Sequence, residues 1–262
     1  TFPRARNAPM KIALDAMGAD TETMKALVRV LQARGTAPFI FSQARRPHLA
    51  SALDGKAYLE QAFSSSSRKK LRQHRRRLAE KGELKSTIVS EPAVVDKAFD
   101  DFMTLEASGW KGHEDTALLN NSADAKYARA MIGALAAKGD AAIHMLTLNG
   151  RAISMQMVLR AGASAFTWKT AYDESLHDFS PGTLLLEDYT LALLADPKVT
   201  DVDSCSFDDT GYMAAWTERA GISNLWFDTR RGGSLSFSIL SRAQAGFLAL
   251  RHRAKAIYHD LQ

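Results

Sequence analysis

From Ala141 to Leu194 the chain reads AAIHMLTLNGRAISMQMVLRAGASAFTWKTAYDESLHDFSPGTLLLEDYTLALL. Two runs of alternating apolar residues flank Asn149-Gly150. A type I′ turn needs positive φ at both central positions, which this dipeptide supplies, so the runs are expected to pair as an antiparallel hairpin. A second turn over Ala161-Gly162-Ala163-Ser164 leads into a third run, Phe166 to Tyr172. After a polar loop, Ser180-Pro181-Gly182 opens an apolar helix. Serine suits the N-cap, and proline suits the first helical position, where its missing N–H would lack a partner anyway. Three antiparallel strands feeding a helix N-terminus form a platform with an anion site at its end.

The flanking segments alternate between strand and helix, which predicts an α/β chain. Met10 to Met17 reads as a strand. Thr21 to Arg34 is helical by period, with Met24, Leu27, Val28 and Leu31 on one face and Gly35 as its stop. A short strand at Ala37 to Ser42 and a short helix at Lys56 to Phe63 follow. Ser64 to Ser67 offer N-caps for a basic helix, Arg68 to Lys81, ended by Gly82. Glu83 to Ser90 reads as a strand and Pro92 to Ala107 as an amphipathic helix carrying Val95, Phe99, Phe102, Met103 and Leu105. In Gly109-Trp110-Lys111-Gly112 the tryptophan is expected to pack beneath a glycine turn. A polar loop then leads to a helix over Ala123 to Lys138. Beyond residue 194, strands are expected at Val199 to Phe207 and Leu225 to Asp228, with a turn at Asp208-Asp209-Thr210-Gly211 and a long helix from Ser234 to Asp260.

With 262 residues, 46% of them hydrophobic, the chain can bury one large core or two modest ones. No apolar run approaches the roughly 20 residues needed to span a bilayer. The opening Thr1-Phe2-Pro3-Arg4-Ala5-Arg6 lacks the apolar stretch of a secretory signal. The single cysteine, Cys205, excludes an intrachain disulfide and a cysteine-rich metal site. These features predict a soluble cytoplasmic protein.

The net charge is +5, and it is concentrated. Arg68, Lys69, Lys70, Arg72, Arg75, Arg76 and Arg77 follow one another with no acid between them, while the remainder of the chain is slightly acidic. The basic balance is therefore a local patch, not a general affinity for nucleic acid. Like charges at helical spacing repel by about 0.2–0.5 kcal/mol per pair, and Leu71 and Leu78 give this helix only a narrow apolar seam. An anionic ligand is expected to compensate the patch.

The sequence contains no P-loop, no G-x-G-x-x-G after a strand, no H-E-x-x-H and no G-x-S-x-G. Its seven histidines lack metal-ligand spacing, and His144, alternating within a strand, reads as structural. Neither a hydrolase nor a metalloenzyme is supported, and no metal is expected.

Trp168-Lys169-Thr170-Ala171-Tyr172-Asp173, followed by Ser180-Pro181-Gly182-Thr183-Leu184-Leu185-Leu186, resembles the GNAT-type acyltransferases called BioF2-like or cellulose-biosynthesis CelD-like, relatives of the FemAB aminoacyl transferases. The resemblance runs from roughly Lys56 to Trp216. It implies a GNAT-like mixed, mostly antiparallel sheet flanked by helices, in a tandem of two related halves. The first half, residues 1–82, is expected to be partial, because similar proteins carry more sequence upstream, and the second, 83–262, complete. The implied reaction is transfer of an acyl group from coenzyme A to an amine or hydroxyl of a small-molecule, saccharide or cell-envelope acceptor. A thioester is already activated, so direct attack by a positioned nucleophile leaves no triad to find in a sequence. What it requires is a strand that pairs with the acyl-pantetheine arm and a helix N-terminus for the pyrophosphate. Trp168 and Thr170 on the third strand, and Ser180, Pro181, Gly182, Thr183 and Leu184 at the helix, are the candidates. Pro181 has no N–H, so free donors are expected at Gly182, Thr183 and Leu184.

For proton transfer the candidates are Tyr172, Asp173 and His177 at the helix entry, with Asp203 and Tyr212 further on. Arg72, Arg75 and Arg76, with Trp216, are the expected acceptor-binding residues. Family members commonly show an Asp-x-Gly strand end and then Tyr-Lys before a tryptophan. Asp203, Tyr212 and Trp216 keep that frame, but Cys205 stands at the glycine and Met213 at the lysine. Two alternatives remain open: a FemAB-like transferase drawing on aminoacyl-tRNA, with Arg68 to Arg77 on RNA phosphates, and a catalytically degenerate binding or scaffold module. An oligomer is compatible with all three.

Overall fold

The computed structural model describes residues 10–206 and 211–260. In chain order the elements are β1 (Lys11–Gly18), α1 (Glu22–Ala33), β2 (Phe39–Leu49), α2 (Gly55–Ala62), α3 (Ser65–Ala79), β3 (Leu84–Val89), α4 (Pro92–Ser108) and α5 (Trp110–His113). They continue with α6 (Ser122–Ala136), β4 (Ala141–Leu148), β5 (Arg151–Ala161), β6 (Ser164–Tyr172), α7 (Pro181–Ala195), β7 (Asp201–Asp203), β8 (Glu218–Asp228) and α8 (Leu235–Asp260). No helix among the described residues is long and apolar enough to cross a membrane.

The chain divides into two compact α/β units, whose strands run mostly antiparallel with helices flanking them. One takes in the described residues of Thr1–Arg45 and Ala220–Gln262, the other Arg46–Arg219. α2 and α3 lie within the second unit and pack on α7. In the first unit the strand order is β1-β8-β2, with β1 antiparallel to β8. In the second it is β2-β7-β6-β5-β4-β3. There β3, β4, β5 and β6 form an antiparallel meander, and β7 joins β6 in parallel after the α7 crossover.

Local chemistry sets these elements. The β4–β5 turn has Asn149 at φ 53° and Gly150 at φ 78°, both in the left-handed region a type I′ turn demands. Thr21 and Ser64 cap α1 and α3 by accepting the backbone N–H three residues on, at 3.2 and 3.1 Å. Pro92 occupies the first turn of α4. Along β4 and β5 the side chains alternate between two buried clusters, so the sheet of the second unit lies between two helical layers. Leu71, Leu78, Leu146, Ile153, Leu184 and Trp216 belong to the layer of α3 and α7. Phe99, Phe102, Ile132, Ile143 and Met155 belong to that of α4 and α6.

Three expectations change. The strand expected over Val199 to Phe207 contracts to three residues, and its end, with Asp208, Asp209 and Thr210, lies outside the described residues. β2 and β8 each run to 11 residues, well past the short strands expected there. On α3, His74 joins Leu71 and Leu78 in the buried seam, with its ring edge-on to Phe179 at 6.4 Å.

Candidate active site

β6 and β7 pair over only three positions, Ser164 with Asp201, Ala165 with Val202 and Phe166 with Asp203. β7 then ends while β6 runs on to Tyr172. Past Phe166 the outer edge of β6 therefore faces a fork, not a strand. β6 is also irregular here. Its register with β5 shifts between Met157, opposite Lys169, and Val158, opposite Thr167, so Trp168 is the extra residue of a bulge.

Two adjoining cavities open along this edge and share Lys111, Thr170 and Tyr212 in their walls. The larger, about 350 Å³, reaches from Trp110 and Glu174 across Tyr172 to Ser180, Pro181 and Gly182. The second, about 320 Å³, lies in the fork against Thr167, Trp168 and Lys169, with Ser204 and Cys205 opposite.

The helix at one end of the larger cavity begins in an unusual way. Asp173 ends β6 by accepting the Ser175 N–H at 3.0 Å, and a 3₁₀ turn over Glu174–Phe179 brings the chain to Ser180. Ser180 lies at φ 50°, ψ 53°, a left-handed conformation that a residue with a Cβ adopts at a cost. Its hydroxyl makes no capping bond, contrary to the expectation. Its carbonyl instead accepts the N–H groups of both Thr183 and Leu184, at 3.0 and 3.1 Å. Of the three donors expected, two are thus taken, and Gly182 alone is left to face a ligand. A Cβ built on Gly182 would meet only Tyr172 Cδ1, at 4.0 Å, so the space beside its Cα is open.

The opposite wall comes from α5. Gly112 makes it possible: a Cβ there would lie 1.9 Å from the Ala107 carbonyl oxygen, so only glycine folds this tightly onto the end of α4. The Trp110 N–H donates to Glu174 Oε1 at 2.7 Å, tying α5 to the turn before α7. Trp110 is not packed as expected; the residue is 48% exposed and lines the cavity. Lys111 extends beneath it, and its Nζ donates to the Thr170 carbonyl at 2.7 Å, on the strand that borders the fork. Below lies Glu106, whose side chain is wholly buried. Its Oε1 accepts Lys169 Nζ at 2.7 Å and lies 3.6 Å from Lys111 Nζ, and its Oε2 accepts the Leu118 N–H at 2.9 Å. Desolvation lowers the Lys111 pKa below its ordinary value, and the Glu106 carboxylate opposes part of that fall.

The sequence-derived candidates separate into two groups. Tyr172, Tyr212, Thr170, Ser180, Pro181, Gly182 and Thr183 converge on the larger cavity. Burial raises the Tyr212 pKa, so its phenol stays protonated at neutral pH. Trp168 lines the fork cavity. The others are held elsewhere. Asp173 is buried and bonded to Arg151 at 2.5 Å. Asp203 is paired with Arg46 and accepts the Cys205 N–H at 2.9 Å. Leu184 is a core residue. Trp216 is fully buried, edge-on to Tyr189 at 6.0 Å, with its indole N–H on Thr190 Oγ1 at 3.0 Å, so it offers no surface to an acceptor. On α3, Arg72 and Arg76 are exposed, whereas Arg75 grips α7 through Asp188 at 2.9 and 3.2 Å and the Leu184 carbonyl at 3.1 Å. Met213 and Cys205 sit in the fork wall, and burial pushes the Cys205 thiol up to about 11.

Sequence reasoning missed Glu106, Lys111 and Lys169. The one signal available was the Lys111-Gly112 step, since a glycine behind a lysine marks a backbone held too close for a Cβ.

A family model described as an acetyltransferase (GNAT) domain matches residues 65–210. No curated protein matches the sequence. Among solved structures, FemX is 13% identical over 82% of this chain and 71% of its own, with a TM-score of 0.53. A C-terminal DUF2156 domain from Agrobacterium fabrum is 14% identical over 85% of this chain and 69% of its own, with a TM-score of 0.50. A conserved protein of unknown function from Bacteroides thetaiotaomicron VPI-5482 is 10% identical over 79% of this chain and 67% of its own, with a TM-score of 0.50. At these identities the likeness is one of fold.

Proposed function

Because the chain belongs to the GNAT acetyltransferase domain family, we propose that it transfers an acyl group from coenzyme A to an amine or hydroxyl acceptor by direct attack on the thioester. The observation that carries this reading is the fork itself: a strand edge that no strand among the described residues pairs with beyond Phe166, leading to the N–H of Gly182. On this reading the acyl-pantetheine arm takes the place of the missing strand partner along Thr167 to Tyr172. The pyrophosphate rests at the N-terminus of α7, where the helix dipole favours negative charge. The Ser180 carbonyl takes the Thr183 and Leu184 N–H groups, which leaves that of Gly182 for the phosphate, and the missing side chain of Gly182 lets phosphate approach the backbone. On this reading most of the rate enhancement comes from positioning and from donors aimed at the developing oxyanion. Tyr212, protonated and beside Thr170, is the candidate donor to the departing thiolate. The acceptor class, a small molecule, saccharide or cell-envelope precursor, rests on the CelD-like resemblance, and a cytoplasmic setting on the composition of the sequence with its single cysteine.

Calorimetric titration with coenzyme A tests the donor. Micromolar binding supports the proposal. Salt-sensitive binding of tRNA in its place favours the aminoacyl-tRNA reading, for which the exposed Lys69, Lys70, Arg72 and Arg77 of α3 are available. Binding of neither points to a degenerate scaffold.

A further inference from the structure

The cavity in the β6–β7 fork has a composition that the transfer chemistry alone does not explain. Two lysines, Lys111 and Lys169, enter its wall together with Gln156, Thr167 and Ser204, and no carboxylate lines it among the described residues. The charges do not balance. Glu106 is the shared partner of both ammonium groups, and its two oxygens are already occupied by Lys169 Nζ and the Leu118 N–H. Lys111 Nζ, 3.6 Å from Oε1, is outside hydrogen-bond range of it, and its close contact is the neutral Thr170 carbonyl. Asp203, the nearest acid on β7, is neutralised by Arg46. Among the described residues that line this cavity or bond its lysines, one positive charge is therefore left over. Glu106 is wholly enclosed, but the Lys111 and Lys169 side chains keep 22% and 21% of their surface, and both line the fork cavity. A partly desolvated, uncompensated ammonium is costly, and a bound anion removes that cost.

We propose that the fork cavity binds a carboxylate of the reacting substrates through Lys111 and Lys169. A single surplus charge matches a monoanionic carboxylate better than a dianionic phosphate. Beside it the Ser204 hydroxyl, which accepts the Ser206 N–H at 3.2 Å, keeps its own proton to donate to the same group, whereas Gln156 and Thr167 already donate to backbone carbonyls. The inference rests on the acyl-CoA reading and deepens it. The fork lies at the end of the β6 edge away from Gly182, where that reading puts the acyl group and its attacking nucleophile. The carboxylate then belongs either to the donor, as a dicarboxylic acid held as its mono-thioester, or to the acceptor.

The full chain is titrated by calorimetry with acetyl-CoA and with succinyl-CoA. A donor carboxylate gives succinyl-CoA about tenfold tighter binding, and Lys111→Met, which keeps the apolar stem and leaves Glu106 paired with Lys169, removes the difference. An acceptor carboxylate gives equal affinity for the two thioesters, but succinate then binds the coenzyme A-saturated protein, and Lys111→Met abolishes that binding. Equal thioester affinities together with no succinate binding overturn the proposal. Failure of coenzyme A itself to bind defeats the donor reading separately, and succinate titration of the unliganded protein still decides whether the cavity takes a carboxylate. Unchanged melting of Lys111→Met shows that any loss belongs to the site.

Discussion

Gly182→Asp separates the pyrophosphate site from the stability of the helix that forms it. The new Cβ meets nothing nearer than Tyr172 Cδ1 at 4.0 Å, and Gly182 is not among the residues at positive φ, so the substitution introduces neither a clash nor strain. Glycine is the poorer helix former by a few tenths of a kcal/mol, and a carboxylate in the first turn gains about 0.3–1 kcal/mol from the dipole. The variant should therefore melt at or slightly above the wild-type temperature. A pyrophosphate on the Gly182 N–H would lie about 5 Å from the new carboxylate. At an effective dielectric constant of about 20 this costs on the order of 3 kcal/mol per unit charge, and screening by salt roughly halves it. What remains is at least ~1.4 kcal/mol, so coenzyme A affinity falls about tenfold or more. Scanning calorimetry and isothermal titration on the same preparation measure both quantities. A folded variant that binds coenzyme A as tightly as wild type would refute the assignment of the phosphates to this helix end.

Burial pushes His144 down to about 4, so the folded chain keeps it neutral while the unfolded chain protonates below about 6.5. Its contribution is complete above pH ~6.5 and is lost as pH falls towards 4, by up to ~3 kcal/mol. His144→Phe should flatten this limb of the stability–pH curve, and an unchanged limb counts against it. Cys205, raised to about 11, should react with iodoacetamide at pH 8 about a hundred times more slowly in the folded than in the unfolded chain. Labelling at the unfolded rate contradicts its burial. Arg75→Gln should lower stability by ~1 kcal/mol, a figure discounted for its partial exposure, while Arg72→Gln stays within about 0.5 kcal/mol. Equal melting of the two variants means that the α3–α7 bridge contributes nothing.

The hairpin at Asn149-Gly150 and the opening of α7 at Pro181 were legible because each depends on residues adjacent in sequence. A turn that needs positive φ, or a first helical residue without an N–H, is a local demand met by a local residue type. The cavity walls were legible only in part. Tyr172 and Gly182 lie on those local elements, but Glu106, Lys111 and Lys169 meet across α4, α5 and β6. Taken alone, Glu106 reads as one more polar residue of an amphipathic helix, and Lys169 as an alternating strand position. Trp216 and Arg75 failed in the opposite direction. An aromatic residue after a turn and an arginine within a basic run look available to a ligand, and only the approach of α7 shows that Thr190 and Asp188 already hold them. The length of β7 had no local signal either, because a strand ends where its partner diverges.

The brevity of the β6–β7 pairing has a consequence for how the chain folds. β3 to β6 form a meander of neighbours in sequence, except where β3 reaches β4 across the α4–α6 helices, and their pairings extend over six or more positions. β7 returns only after the α7 crossover and gains three paired positions for closing that loop. Loop closure is costly before the contacts that offset it have formed, so β7 docks late. Until then β6 has one edge bare along its whole length, from Ser164 to Tyr172, and that edge is open to pairing with another molecule. Pulse-labelling hydrogen exchange should show the amide of Val202 gaining protection after those of Met145 and Met155. Conditions that stall the chain before β7 docks are then the ones under which it aggregates.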